Sequence, residues 1–201
     1  MHLQALTTGK NMKYLLLVLI FFSPSLWAEN PLLSKELITS LSAISEKIDN
    51  LETKYPKTFA QSDKFGMSDQ AKAVKFIEAS KAYPDVKNIL SASGFKNLNE
   101  LYDVSIRFMG ALYFVQMQKM PEGSGPNAMI QSLEASIKQM KQSDAPTSVI
   151  NTMEESLIET KAQLKDMQLA TNKASKADKA FVSNNLDWAM SMISEESEEA
   201  N

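Results

Sequence analysis

The 201-residue sequence contains no cysteine, and its single histidine is His2. His2 lies in a segment that we expect to be removed, so the chain lacks the side chains for Ser-His-Asp or Cys-His catalysis and for the usual zinc sites. Without disulfides the fold must rely on burial of an apolar core. At 44% hydrophobic residues, the chain is long and apolar enough for one such domain.

Arginine is almost absent: Arg107 is the one arginine, against twenty lysines. The formal net charge is -3, and no cluster of basic residues forms the electrostatic footprint of a nucleic-acid-binding protein. The sequence therefore predicts no nucleic-acid partner.

The N-terminal segment has the pattern of a secretory signal peptide. Lys10 and Lys13 precede an apolar run at 14–22, which is followed by S-P-S-L-W-A. We expect a signal peptide at 1–28 with cleavage near Ala28, and hence a periplasmic protein without a stable membrane span. The sequence leaves open whether translation starts at Met1 or Met12, and whether the signal is cleaved or retained. We expect one helical domain at 29–194 and an acidic, disordered tail at 195–201.

The stretch 97–120 is expected to form a central helix. Asn97, followed by Glu100, has the spacing of a capping box, and apolar residues then recur every three or four positions. From Phe108 to Val115 every residue is apolar or glycine, which predicts a helix buried on all sides. This apolar belt is too short to cross a bilayer, for which about 20 residues are needed.

Helical periodicity recurs along the rest of the chain, and no run alternates as a half-buried strand does. We expect a loop at 57–67, a helix capped by Ser68 that extends to about Ala82, and a left-handed C-cap at Gly94. Ser175 with Asp178 predicts the cap of a last helix. The predicted fold is all-α: an antiparallel bundle of six or seven helices around the central helix 97–120.

One part of the chain resembles a known group. The piece S-G-F-K-N-L-N-E-L-Y-D-V-S-I-R-F-M-G-A-L, preceded by Y-P-D-V-K-N-I-L, is similar to the central part of uncharacterised exported helical proteins of Gram-negative bacteria. The resemblance covers about a third of the expected mature chain. It implies a periplasmic helical domain and no particular activity.

Arg107 is the most informative single side chain, because arginine keeps its charge and its planar fork suits a carboxylate or a phosphate. If the side chain is buried, it must be paired. Asp103, one helical turn earlier, is the expected partner in a structural ion pair. The alternative is that Arg107 and Asp103 bind a small anionic ligand inside the bundle.

Methionine is abundant, with Met109, Met117 and Met120 on the central helix. Thioethers can select Cu(I), which gives a weak alternative of a copper site. Methionine also fills irregular helical cores, and no histidine is available to complete a copper site, so we predict no metal and no cofactor. A methionine-rich apolar surface also suits the binding of other proteins.

The sequence contains a short pattern known from enzymes, but not the other motifs that accompany this pattern in them. Ser93 and Lys96 have S-x-x-K spacing, but the K-T-G and the sheet that accompany it are missing, so the segment is better explained as a helix end. No catalytic residue is predicted. The sequence favours a non-enzymatic protein that binds another protein or component of the cell envelope. The alternatives are a ligand or copper binder and a cryptic enzyme, and the sequence specifies neither the partner nor the oligomeric state.

Overall fold

A computed structural model describes residues 31–62, 64–143 and 145–198, with side chains through residue 193. This part of the chain contains nine α-helices and no strand, which confirms the all-α class but not the predicted number of six or seven. The α-helices are α1 (Lys35–Lys54), α2 (Pro56–Ser62), α3 (Gln70–Glu78), α4 (Tyr83–Ala92), α5 (Leu98–Lys119), α6 (Pro126–Gln142), α7 (Thr147–Lys173), α8 (Lys176–Asn184) and α9 (Leu186–Glu198).

The predicted signal peptide lies outside the described residues, so its cleavage and the periplasmic location stay predictions. At the other end, helix α9 continues through Glu198, beyond residue 194 where we placed the domain end. Residues 199–201 also lie outside the described part, and the disordered tail stays a prediction.

The loop predicted at 57–67 is wrong in its first half. Pro56 ends α1 but also begins the short helix α2, because proline lacks the N–H that the first turn of a helix leaves unsatisfied anyway. Phe59 of this helix is buried in the core. A 3₁₀ turn, Met67–Asp69, then leads into α3, and Ser68 makes no cap for it. Helix α3 ends at Glu78, four residues before the predicted end.

The connection from α4 to α5 follows the sequence prediction. Gly94 has φ of +84°, and the N–H of Phe95 donates to the carbonyl of Leu90 at 3.0 Å, as in a glycine-terminated helix. Helix α5 then starts at Asn97, whose side chain accepts from the N–H of Glu100 at 3.0 Å. The Glu100 carboxylate accepts from the N–H of Lys96, one residue before the donor that a capping box would use.

Helix α5 packs against helices α1, α3, α4, α7, α8 and α9. Ten of its residues are buried. The predicted burial on all sides is incomplete, because Met109, Tyr113 and Phe114 are half-buried. Helix α5 is therefore the centre of the core, but one part of its surface is not fully covered by the other helices.

Helix α7 crosses α5 with very little space between the two backbones. A Cβ atom built on Gly110 would collide with the carbonyl of Ala170 and lie 2.6 Å from the nitrogen of Thr171. The Thr171 hydroxyl also donates to the carbonyl of Gly110 at 3.3 Å. A glycine inside a helix often marks the close approach of a neighbouring element, and Gly110 allows α7 to approach here.

The last predicted helix is interrupted. Helix α8 ends at Asn184, and α9 begins at Leu186. Two consecutive asparagines at this point, Asn184 and Asn185, are weak helix formers, which accounts for a break there. The side-chain amide of Asn185 donates to the carbonyl of Phe181 at 2.9 Å and satisfies one acceptor of the broken end.

Candidate functional site

Arg107 lies buried at the centre of the fold, with 5% of its surface exposed. Its guanidinium donates to Asp178 through two nitrogens, Nε at 3.0 Å and Nη2 at 2.7 Å. Nη1 donates to Asp103, one turn earlier on the same helix, at 3.3 Å. The predicted pair with Asp103 is present, but Asp178 provides the shorter, two-point contact that suits a guanidinium.

Asp178 is itself held in place by its surroundings. It is 1% exposed and is the third residue of α8, where it forms a capping box with Ser175. Its Oδ2 accepts from the N–H of Ser175 at 2.9 Å, and its Oδ1 accepts from the N–H of Leu33 at 3.4 Å. One carboxylate therefore joins α5, the start of α8 and the segment that precedes α1.

The electrostatics of the pair follow from these contacts. Burial by itself disfavours the charged form of Asp178, but hydrogen bonds from Arg107 and then from Ser175 outweigh it and lower the pKa of Asp178. Burial likewise opposes the charge of Arg107, yet Asp178 and then Asp103 raise the pKa of Arg107. Both groups are charged at neutral pH, and each partner compensates the cost of burying the other.

Asp178 as the main partner of Arg107 was missed by the sequence reasoning. The signal that was available is the spacing of Ser175 and Asp178, which predicted the helix cap correctly. It could not show that the capping carboxylate also meets an arginine 71 residues earlier in the chain. With two carboxylates on its fork, Arg107 has the geometry of a structural ion pair, and the alternative of an anionic ligand at Arg107 and Asp103 stays an untested prediction.

The three methionines of the alternative copper site are spread along α5. Met109 and Met117 are half-buried, and Met120 is 44% exposed at the end of the helix. Met109 and Met120 are 11 residues apart, about 16 Å along a helix axis, so the three thioethers do not meet at one point. In the part of the chain that the structure describes, no group of three or more Asp, Glu or His side chains has the geometry of a metal site.

The S-x-x-K pair lies at a helix end, as expected. Ser93 is the C-cap of α4, where its N–H donates to the carbonyls of Ile89 and Leu90. Lys96 extends into solvent, with 80% of its side chain exposed, and its Nζ lies 3.8 Å from Glu100. Nothing in this arrangement activates a serine.

Helices α6 and α7 form an antiparallel hairpin. Lys141 pairs with Glu154 at 2.6 Å, and Lys161 pairs with Glu134 at 2.6 Å, which fixes the register between the two helices. Ile137 is the buried residue of α6, and Ala170 is that of α7. The hairpin therefore buries little of its own apolar surface.

The two ion pairs lie on one side of the hairpin, and a strip of uncharged residues extends along the other side, bordered on α7 by the exposed Glu155 and Glu159. Helical periodicity of 3.6 residues per turn places nine uncharged residues on that opposite side. We call this surface the methionine face: Met129, Ser132, Leu133, Ser136 and Met140 of α6 with Val149, Met153, Ser156 and Thr160 of α7. Met129 is 56% exposed and Val149 is 45% exposed, whereas Leu133, Met140 and Met153 are half-buried.

A different apolar feature lies between α1 and α5. A partly open cavity of about 210 Å³ is lined by α1, α2, α3, α4 and α5, with buried Ile44, Ile77 and Leu101 in its wall. A second cavity of about 100 Å³ lies further toward the N-terminal end of α1, and both are lined by Leu41, Ser45 and Ser105. Neither has Arg107 in its lining.

Among the described residues, no helix is long and apolar enough to cross a membrane. The fold and these sites define an all-helical protein with a buried ion pair, a charge-free hairpin face and an apolar cavity. Models of known protein families, curated proteins and solved structures gave no match to this chain.

Proposed function

We propose that this chain is a non-enzymatic protein of the bacterial periplasm that binds another protein of the cell envelope through the methionine face of the α6–α7 hairpin. The pattern of a signal peptide at 1–28 and the resemblance to exported helical proteins of Gram-negative bacteria support the location. We also propose that the helices form one antiparallel bundle around α5, in support of which six other helices pack against it.

The observation that carries the proposal is the uneven distribution of charge around the hairpin. The Lys141–Glu154 and Lys161–Glu134 pairs give one side a solvated surface, whereas the methionine face has no charged residue. Met129 is exposed at one end of this face, and half-buried Leu133 and Met140 continue it along α6. Neighbouring apolar residues on an uncharged surface are typical of an interaction site. Removing such a surface from water is favourable because no charge has to be desolvated.

The chemistry of the face specifies the kind of partner. On α6 the face extends over the 12 residues from Met129 to Met140, about 16 Å or three helical turns, and the register of the ion pairs places Ser156 beside its C-terminal half. An amphipathic helix with apolar residues at positions i, i+3, i+4 and i+7 fits a surface of this length. Methionine side chains adapt to differently shaped partners. The small serine side chains leave room for a partner to approach closely. The partner is therefore a protein with an amphipathic helix.

Site-specific photo-crosslinking in living cells tests the proposal. A photoreactive amino acid at Ser156 lies on the methionine face, and the matched control at Asn151 is an exposed position of the same helix, about 140° around its axis from Ser156. We expect a discrete crosslinked protein from position 156 and not from position 151. The Met140→Glu substitution should abolish this product, because it buries an unpaired carboxylate in the interface.

The matched control for the added charge is Gln131→Glu, which places the same carboxylate at an exposed position about 180° around α6 from Met140. This variant should keep the crosslinked product and melt at the same temperature as the unaltered protein. Equal crosslinking from positions 156 and 151, or a product that survives Met140→Glu, would contradict the proposal.

A further inference from the structure

Two adjoining cavities lie between α1 and α5. Leu41, Ser45 and Ser105 line both of them, so the cavities follow one another along α1. Their combined lining extends on α1 from Ile38 to Glu52, about 21 Å at the rise of an α-helix. A molecule that occupies both cavities is therefore long and narrow.

The size of this space is sufficient for a small molecule. Cavities of about 210 and about 100 Å³ together reach the lower end of the range of about 300–1,000 Å³ seen in ligand-binding sites. The walls are formed by core residues of several helices, among them Ile44, Val86 and Phe108. Because most of the lining side chains are apolar, burying an apolar chain against them is favourable.

The polar groups of the lining specify the head of such an occupant. The one charged residue that lines either cavity is Glu52, at one end of the larger cavity. Hydroxyl groups come from Ser42, Ser45, Ser62, Tyr102 and Ser105. No lysine or arginine lines either cavity. Hydroxyls can donate to and accept from an uncharged head group, whereas a carboxylate head group would meet the negative charge of Glu52.

From this geometry we propose that the space between α1 and α5 binds a single-chain aliphatic molecule with an uncharged polar head group. The chain lies along α1 against Leu41, Ile44 and Phe108. The head group lies near Glu52 and Tyr102, where the larger cavity ends. This site shares no residue with the methionine face and does not include Arg107, so a test of ligand binding here is independent of the proposed protein partner.

Titration calorimetry of the purified protein with decanol and with decanoate tests the proposal. The two probes share an alkyl chain and differ in the charge of the head group. Decanol should bind, and decanoate should bind at least about tenfold more weakly, the order of effect that one like charge a few ångströms away has near a protein surface. The Glu52→Lys variant should reverse this preference, and because Glu52 is exposed the fold should tolerate the change.

A second variant fixes the position of the chain. Ser45→Leu adds a bulky side chain where the two cavities adjoin, and it should weaken decanol binding at least about tenfold while leaving the melting temperature equal or higher, because it fills empty space. The matched control is Ser91→Leu, the same change at an exposed position of α4.

Three results would overturn the proposal. These are no heat of binding with decanol, decanol binding that Ser45→Leu and Ser91→Leu leave equally unchanged, and decanoate binding as tight as decanol binding with no response to Glu52→Lys. If Ser45→Leu fails to fold, Glu52→Lys still tests the proposal, because this variant should prefer decanoate to decanol.

Discussion

The carboxylate of Asp178 accepts two hydrogen bonds from the guanidinium of Arg107, at 3.0 Å from Nε and at 2.7 Å from Nη2. The two residues are 71 positions apart in the chain, and both are buried. Because the same carboxylate also caps α8 and accepts from Leu33, the pair connects three separate parts of the chain. The pair therefore fixes the relative positions of these three parts as well as contributing to the stability of the fold.

Removing one partner of this pair should be strongly destabilising. Asp178→Ala leaves the guanidinium of Arg107 buried with the weaker contact to Asp103, and a broken buried pair typically costs about 3–5 kcal/mol. The measurement is the free energy of unfolding from urea titration at neutral pH. A loss of less than about 1 kcal/mol, the range of surface ion pairs, would show that the pair is not buried as described.

Replacing both partners by apolar residues should have a smaller effect than either single change. The Arg107→Met, Asp178→Leu double variant removes both buried charges at once, and such replacements are often neutral or stabilising. We expect its unfolding free energy to exceed that of Asp178→Ala, although the lost cap of α8 lowers it by about 1 kcal/mol. Strictly additive single-variant losses would contradict direct contact between the two side chains.

The pair also predicts a pH dependence. The pKa of Asp178 is lowered from its ordinary value of 3.8, so its stabilisation is fully present above that pH and is lost as the pH falls through the lowered folded-state pKa. The difference in unfolding free energy between the protein and its Asp178→Asn variant should therefore shrink between about pH 5 and pH 2. A difference that is constant or larger in acid would contradict the lowered pKa.

Much of this fold could be predicted because its signals are local. The start of α5 at Asn97 and the C-cap at Gly94 depend on residues only a few positions apart. The short helix after Pro56 was missed, because a proline that ends one helix is equally suited to begin the next. The ion-pair site was harder to predict from the sequence. Arg107 was recognisable as the one arginine, but its contact with Asp178, 71 residues later, arises only from tertiary packing.

Gly110 provides a test of the crossing between α5 and α7. The Gly110→Ala variant adds a Cβ that collides with the backbone of Ala170, which cannot move aside as a flexible side chain can. Overpacking of this kind costs about 1–3 kcal/mol and more for a larger residue, so Gly110→Leu should be worse. Thermal melting measures both, with Gly125→Ala as the control, since its nearest neighbour is the flexible end of Met117 at 3.1 Å. Unchanged melting of Gly110→Leu would show that the helices do not pack this closely.

The ion pairs of the hairpin should contribute little stability. The side chains of Lys141 and Glu154 are 54% and 42% exposed, and surface pairs of this kind are worth about 0–1 kcal/mol. Lys141→Ala should therefore change the unfolding free energy by less than about 1 kcal/mol, far less than Asp178→Ala. Calorimetric melting of the two variants side by side checks this order, and the reverse order would contradict the assignment of the core.

We propose a structural role for the buried pair of Arg107 and Asp178 and a partner-binding role for the methionine face. The most direct test compares the photo-crosslinking yield from Ser156 in the Arg107→Met, Asp178→Leu variant with the yield in Met140→Glu. We expect the folded pair-replacement variant to keep the crosslinked protein and Met140→Glu to lose it. Loss of the product in the folded pair-replacement variant, or its survival in Met140→Glu, would contradict these roles.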